Sequence, residues 1–129
     1  MSEKTIIATE NAPAAIGTYS QAVKVGNLVF SSGQIAINPT TGELVSPNFR
    51  EQAEQVVKNL SAIAQAVNAD LSKVIKLTVF LTDLANFAEF NAVMEANFPK
   101  PYPARSAVGI SALPKGALVE AEMILALDD

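Results

Sequence analysis

NFREQAEQVVKNLSAIAQAVNADLSKVIKLTVFLT, residues 48–82, changes its hydrophobic period partway along. Up to residue 68 the apolar side chains recur at spacings of three and four, which is typical of one face of an amphipathic helix. Asn48 is a suitable N-cap for that helix. From about 73 to 82 the sequence is rich in β-branched and aromatic residues, which favours a strand. Alternate positions of that strand are expected to face the core: Ile75, Leu77, Val79 and Leu81.

Three shorter strands are predicted upstream of this helix. Residues 4–8 form a short apolar run, and residues 9–18 contain proline and glycine and are predicted to be a loop. Gly26 and Asn27 then separate two apolar runs, which is a two-residue hairpin signal. The second arm of this hairpin continues through SSGQIAI towards a turn at 39–42.

The downstream half predicts one more helix and two more strands. Asp83 is a suitable cap for a helix over about 84–97, and prolines at 99, 101 and 103 then hold the chain extended. Strands are expected over about 105–110 and 117–127, joined by a turn at 113–116. The order is β-β-β-α-β-α-β-β. Two helices cannot cover both faces of such a sheet, so we expect a two-layer α+β domain over 1–129, a mixed sheet with both helices on one face.

Composition excludes several classes of chemistry. The 129 residues contain no cysteine and no histidine, which removes thiol nucleophiles, thiolate metal sites, and the commonest general base and metal ligand. The formal net charge of −4 argues against binding a phosphate backbone. No window approaches 18 uncharged apolar residues, so no signal peptide or membrane span is predicted. A soluble cytoplasmic protein is expected, with no partner among nucleic acids or membranes.

The face of the sheet away from the helices carries the polar residues of interest. In the last strand an unbroken apolar set from Val119 to Leu127 is expected to meet the helices, which leaves Glu120 on the opposite face. In the strand before it, Val108 and Ile110 are expected to lie in the core, so Arg105 and Ala107 should point away from the helices. Arg105 and Glu120 are therefore predicted to share one face.

This second face is too apolar for a bare solvent surface and too polar for a closed core. It is interpreted as a subunit interface that contains a polar pocket, with an ordinary exposed sheet as the alternative. A guanidinium binds a carboxylate through two parallel hydrogen bonds, and a partly desolvated glutamate can hold a proton or orient water. Arg105 and Glu120 could bind a small carboxylate substrate in this way, or could simply form a salt bridge.

PARSAV at 103–108, followed by LPKGAL and VEAE, resembles the signature of the RidA branch of the Rid family, also called YjgF, the reactive intermediate deaminases. PAAIGTYSQAV at 13–23, NLVFSSGQIAINPTTGEL at 27–44 and the stretch from FREQAEQVVKNL to KLTVFLTDLANFAEFN agree as well. The resemblance covers nearly the whole chain, in order and without large gaps.

The resemblance implies a chorismate-mutase-like fold and a homotrimer with pockets between its subunits. It also implies hydrolysis of enamines and imines, such as 2-aminoacrylate, 2-iminopropanoate and 2-iminobutanoate, to 2-oxo acids and ammonia. No metal or organic cofactor is expected. By position, Arg105 would bind the substrate carboxylate and Glu120 would orient water or transfer a proton. The other pocket positions that it implies are Tyr19, Ser32, Gly33, Asn91 and Ala107.

Ala107 is a departure from the family, because many RidA members have cysteine at this position. We expect the backbone carbonyl of Ala107 to position the water instead. Three alternatives remain: non-enzymatic binding or sensing of small 2-oxo acids, or a protein-interaction role; the ribonuclease activity once attributed to the family; and a chorismate mutase. The acidic charge and the lack of histidine count against the ribonuclease, and a single arginine on this strand face counts against the mutase.

Overall fold

A computed structural model describes residues 3–128 and shows a six-stranded sheet with two helices packed on one face. The strands and helices are β1 (Thr5–Ile7), β2 (Ala22–Val25), β3 (Leu28–Ser31), α1 (Phe49–Ala66), β4 (Val74–Leu81), α2 (Phe87–Asn97), β5 (Ala104–Gly109) and β6 (Val119–Ala126). This order confirms the predicted β-β-β-α-β-α-β-β fold. Residues 1, 2 and 129 of the domain predicted over 1–129 lie outside the described residues.

The sheet is mixed. Its spatial order is β1-β2-β3-β6-β4-β5, with β4 and β5 parallel and every other neighbouring pair antiparallel. The hairpin between β2 and β3 turns at Gly26 and Asn27, as predicted, and Gly26 takes the positive φ of +60° that such a turn requires. Both β1 and β5 are therefore edge strands.

The first helix begins and ends where the pattern predicted, within two residues. The side chain of Asn48 caps it by accepting a hydrogen bond from the backbone N–H of Glu51 at 3.0 Å. Asp83 also caps, as predicted, by accepting from the N–H of Ala85 at 2.9 Å. The segment it starts is first a short 3₁₀ turn, Leu84–Asn86, and becomes α-helix only at Phe87.

One hydrophobic core lies between the helices and the sheet. Each large aliphatic side chain that is buried there contributes about 1.5–3 kcal/mol to folding. The helices and strands β4 and β6 contribute Val56, Leu60, Ile63, Phe90, Val93, Leu77, Val79, Leu81, Val119, Met123 and Leu125. Among the described residues, no helix combines the length and the apolar character needed to span a membrane. The cytoplasmic location stays a prediction.

The core predicted for β4 is wrong at one position. Ile75 is 48% exposed, whereas Val74, Leu77, Val79 and Leu81 are buried. The pairing of β4 with β6 shifts between Val74 and Lys76, which is the mark of a β-bulge. The extra residue is Ile75, so strict alternation fails at that residue alone.

The prediction for β5 is also wrong, and it changes the site. In the register with β4, Arg105 pairs with Leu77 and Ala107 pairs with Val79, two residues of the helix-facing core. Arg105 and Ala107 therefore face the helices. Val108 is 43% exposed on the opposite face, which we call the open face. The prediction that Arg105 and Glu120 share one face fails for the same reason.

Candidate functional site

Arg105 lies at the edge of the sheet, in a cleft between β5 and α2. Its Nη1 donates to Oδ1 of Asn91 at 2.8 Å and approaches Sδ of Met94 at 3.3 Å. Its Cζ lies 4.8 Å from the centre of the Phe87 ring, a cation–π distance. Three contacts from one helix therefore fix the plane of the guanidinium.

The Arg105 cleft has a volume of about 430 Å³. Asn91, Met94 and Glu95 of α2 form one wall, and Tyr102 and Pro103 form the other. Within residues 3–128 neither Arg105 nor Glu120 belongs to an ion pair; the two ion pairs join Arg50 to Glu54 and Lys73 to Asp128. The cleft thus presents a half-buried cation that has no acidic partner in the described part of the chain.

The backbone beside Arg105 has free hydrogen-bonding groups. The N–H of Ile110 donates to the carbonyl of Leu81 in β4 at 2.9 Å. Backbone groups of a strand alternate in direction, so the N–H and C=O groups of Arg105, Ala107 and Gly109 point away from β4. Because β5 is an edge strand, these groups line the free edge. The Ala107 carbonyl is therefore available as an acceptor.

Glu120 lies in a second cleft, on the open face of the sheet. This Glu120 cleft measures about 600 Å³. Its polar lining includes Tyr19, Ser32, Gly33 and Lys115, and its apolar lining includes Ile16, Ile35, Ile37, Pro13 and Pro114. Two larger grooves, of about 950 and 870 Å³, run along α1 and beside the amino-terminal segment, and neither contains Arg105 or Glu120.

Burial raises the pKa of the Glu120 carboxyl above its usual value, and the nearby charge of Glu122 adds to this. Glu120 is half-buried, and Glu122 follows two residues later on the same face of β6. A carboxyl group with a raised pKa keeps its proton to a higher pH than an exposed glutamate does. It can therefore donate a proton as well as accept one.

Gly33 makes the position of Glu120 possible. A Cβ at residue 33 would lie 2.7 Å from both Cδ and Oε1 of Glu120, closer than any real side chain approaches. On either side of it, Ser32 Oγ donates to the carbonyl of Ser20 at 2.5 Å, and Gln34 and Ala121 exchange backbone hydrogen bonds at 2.8 and 3.1 Å. The segment 32–34 is thus fixed against β6, with a glycine where the glutamate lies.

Tyr19 forms the rim of the Glu120 cleft and is 50% exposed. Its hydroxyl oxygen accepts a long hydrogen bond, 3.4 Å, from the N–H of Ile16. The predicted site residues therefore fall into two groups. Tyr19, Ser32, Gly33 and Glu120 meet in one cleft, Arg105 and Asn91 line the other, and Ala107 follows Arg105 by two residues on the same face of β5.

The two groups cannot act on one small molecule within a single chain. Leu77 of β4 pairs with Arg105, and Phe80 of the same strand pairs with Glu120, so β4 lies between them. Arg105 and Glu120 therefore lie two strands apart, roughly 10 Å across the sheet. They also point to opposite faces.

Several lining residues were missed from the sequence. Phe87 was not predicted as a site residue, although its ring lies against the Arg105 guanidinium. Tyr102 stands between two prolines next to Arg105, a signal that could have marked it. Ile35, Ile37 and Lys115 line the Glu120 cleft, and only the resemblance of their segments to the family could have indicated this.

The chain belongs to the Endoribonuclease L-PSP family, whose sequence pattern matches residues 9–127. It is 56% identical over 94% of its length to a RutC family protein of Sinorhizobium fredii, 96% of which is covered. It is 45% identical over 99% of its length to the whole of a 2-iminobutanoate/2-iminopropanoate deaminase of Dermatophagoides farinae. The crystal structure of RidA from the Antarctic bacterium Psychrobacter sp. PAMC 21119 superposes with a TM-score of 0.92 at 54% identity, covering 95% of this chain and 99% of that one. The resemblance to the Rid family is confirmed.

Proposed function

We propose that this protein is an imine deaminase, which hydrolyses 2-iminopropanoate, 2-iminobutanoate and the enamine 2-aminoacrylate to 2-oxo acids and ammonia. The deaminase of Dermatophagoides farinae, at 45% identity over nearly the whole chain, supports an enzyme that acts on C=N bonds. The observation that carries the proposal is the raised pKa of Glu120 in a cleft with apolar walls, which suits proton transfer to and from an imine.

The reaction consumes one water and needs no oxidant. An enamine first takes a proton at its terminal carbon and becomes an iminium ion. Water then adds to the carbon of the C=N bond, the nitrogen gains a proton, and the C–N bond breaks. The oxygen from water remains as the oxo group and the nitrogen leaves as ammonia. Protonated Glu120 gives its proton to the enamine carbon, and the resulting carboxylate accepts one from the attacking water. Glu120 then passes this proton to the nitrogen and takes the hydroxyl proton as the C–N bond breaks, so that it ends the cycle protonated.

Arg105 binds the substrate carboxylate in this proposal. Its guanidinium has no acidic partner within residues 3–128, and α2 holds its plane through Asn91 and Phe87. A planar fork of N–H donors matches a carboxylate. The free C=O of Ala107 positions the water beside it. Placing carboxylate, water and acid together is the main contribution that such a reaction requires.

We further propose that the site is completed between copies of the chain, in a homotrimer. Arg105 and Glu120 point to opposite faces of one sheet, so a substrate a few ångströms long needs Glu120 from one copy and Arg105 from the next. The open face offers the surface for this contact, since it exposes Ile6, Phe30 and Val108 to 53%, 45% and 43%. An exposed apolar patch of this kind is typical of a protein interface.

The test is a coupled assay with a PLP-dependent dehydratase. The dehydratase generates 2-aminoacrylate from serine, and pyruvate formation is followed with and without this protein. We expect faster pyruvate formation, which Arg105→Lys reduces by about 100-fold or more because lysine keeps the charge and loses the fork. Light scattering checks that the variant keeps its oligomeric state. Binding of 2-oxo acids without any acceleration would favour the sensing alternative.

A further inference from the structure

Buried amide side chains surround the Glu120 cleft. The buried polar side chains among the described residues are Gln21, Gln34, Gln52 and Asn59. Burying an amide without hydrogen bonds costs free energy, whereas a fully bonded one fixes its neighbours in place. The amides of Gln21, Gln52 and Asn59 all bond to the backbone of segments that line or lead into this cleft.

Asn59 holds the apolar wall. Its Nδ2 donates to the carbonyls of Ile35 at 3.2 Å and Ile37 at 3.0 Å, and its Oδ1 accepts from Nε2 of Gln55 at 2.8 Å. Ala36, between the two isoleucines, is completely buried. One amide therefore fixes both residues of the wall from behind, through the backbone and not through their side chains.

Gln52 holds the backbone that leads into Glu120. It lies seven residues, two helical turns, before Asn59, so both amides project from the same face of α1. Its Oε1 accepts from the N–H of Leu118 at 2.9 Å and its Nε2 donates to the carbonyl of Ser46 at 2.9 Å. Leu118 is two residues before Glu120. The helix thus contacts the backbone of the apolar wall and the backbone that leads into Glu120.

We propose that Asn59, supported by Gln52, is a positioning residue that sets the width of the Glu120 cleft and hence the size of the side chain that a substrate can carry. This inference rests on the proposed function. Neither amide touches the reacting atoms; each acts through the backbone that carries Ile35, Ile37 and Glu120. In a purely structural role the same bonds would stabilise the fold and leave the preference among substrates unchanged.

Asn59→Leu tests the proposal, because leucine fills a similar volume and lacks both donors. Imines derived from alanine and from leucine are generated in situ, and kcat and KM are measured for each. We expect the ratio of the two kcat/KM values to change by at least about tenfold, through KM more than kcat. Val56→Ala is the matched control, since Val56 is a completely buried residue of the same helix with no bond to the cleft. It should lower Tm and leave the ratio unchanged.

An unchanged ratio in folded Asn59→Leu would overturn the proposal. If that variant does not fold, Gln55→Ala replaces it, because it removes only the bond that orients the Asn59 amide. A smaller change of the same ratio supports the proposal and no change overturns it. If the wild-type protein turns over no imine, the same ratio is measured for binding of pyruvate and 4-methyl-2-oxopentanoate by calorimetry, which separates this proposal from the proposed function.

Discussion

Folding disfavours the ionised form of the Glu120 carboxyl group. Its pKa is raised by burial and by Glu122, so the folded state holds the proton more tightly than the unfolded state. Stability therefore falls as the pH rises through the folded-state pKa. Below the unfolded-state pKa of about 4.3, both states are protonated and the penalty is absent.

We expect Glu120→Gln to raise Tm at pH 7 and to lower imine turnover by about 100-fold or more, which leaves a measurable residual rate. Glutamine has a similar shape and no charge to desolvate. The gain should be only about 1–3 °C, because Glu120 is half exposed and its charge is partly solvated. Thermal melts from pH 4 to 8 measure it, and the difference from wild type should vanish at pH 4. An equal difference at both pH values would contradict the role of the charge.

Gly33→Ala should reduce activity much more than stability. The added methyl group would lie 2.7 Å from Cδ and Oε1 of Glu120, the mobile end of that side chain. The carboxyl group can swing away at little cost to folding, yet it then leaves its place in the cleft. We expect kcat/KM to fall by about 100-fold with Tm changed by about 2 °C or less.

A double-mutant cycle provides the control for Gly33. Since Gly33→Ala acts through the Glu120 side chain, it should have no further effect on activity in a Glu120→Gln background. An additional loss in the double variant would mean that Gly33 acts on the substrate or on the fold directly. The sequence identified this glycine only through its family resemblance, because a close approach between a loop and a strand leaves no local pattern.

At the scale of elements, α2 acts as the support for Arg105. Asn91 accepts the hydrogen bond of Nη1, and Phe87 lies against the guanidinium. We expect Asn91→Ala to raise KM by about tenfold and to change kcat little, since the cation remains and only its orientation is lost. Steady-state kinetics measure this split. Glu89→Ala, an exposed change on the same helix, is the control and should change neither constant.

The elements themselves were largely predictable from sequence. The stripe of α1 and its Asn48 cap, the capping by Asp83, and the Gly26-Asn27 turn all depend on local chemistry, and the structure confirms each. The bulge at Ile75 was not predictable, because an extra residue in a β-branched run leaves the composition of the strand unchanged.

The orientation of β5 failed for a physical reason. Val108 was assigned to the core because it is apolar, and that assignment turned Arg105 outward. Alternation shows that a strand has two faces and cannot show which of them meets the helices. Here Val108 lies on the open face, and Arg105 lies among residues of α2. Apolar residues lie on both faces of this sheet, so an apolar residue alone does not mark the face that meets the helices.

At the scale of the whole molecule, the separation of Arg105 from Glu120 makes an arrangement between copies necessary for the proposed chemistry. The Glu120 cleft also contains Lys115 and the Arg105 cleft also contains Glu95, but neither cleft contains both Arg105 and Glu120. A trimer with cyclic symmetry repeats one heterologous contact three times. Each contact would then join the Arg105 edge of one copy to the Glu120 cleft of the next.

This arrangement predicts complementation between impaired variants. Arg105→Ala and Glu120→Gln should each keep only about a hundredth of the activity, or less, when alone. Co-expressed in equal amounts with different affinity tags, they form mixed trimers in which one of the three contacts pairs an intact Arg105 with an intact Glu120. We expect the doubly purified trimers to regain activity on that order. Mixed trimers without activity, alongside active wild-type trimers taken through the same purification, would show that both residues serve a site within one chain.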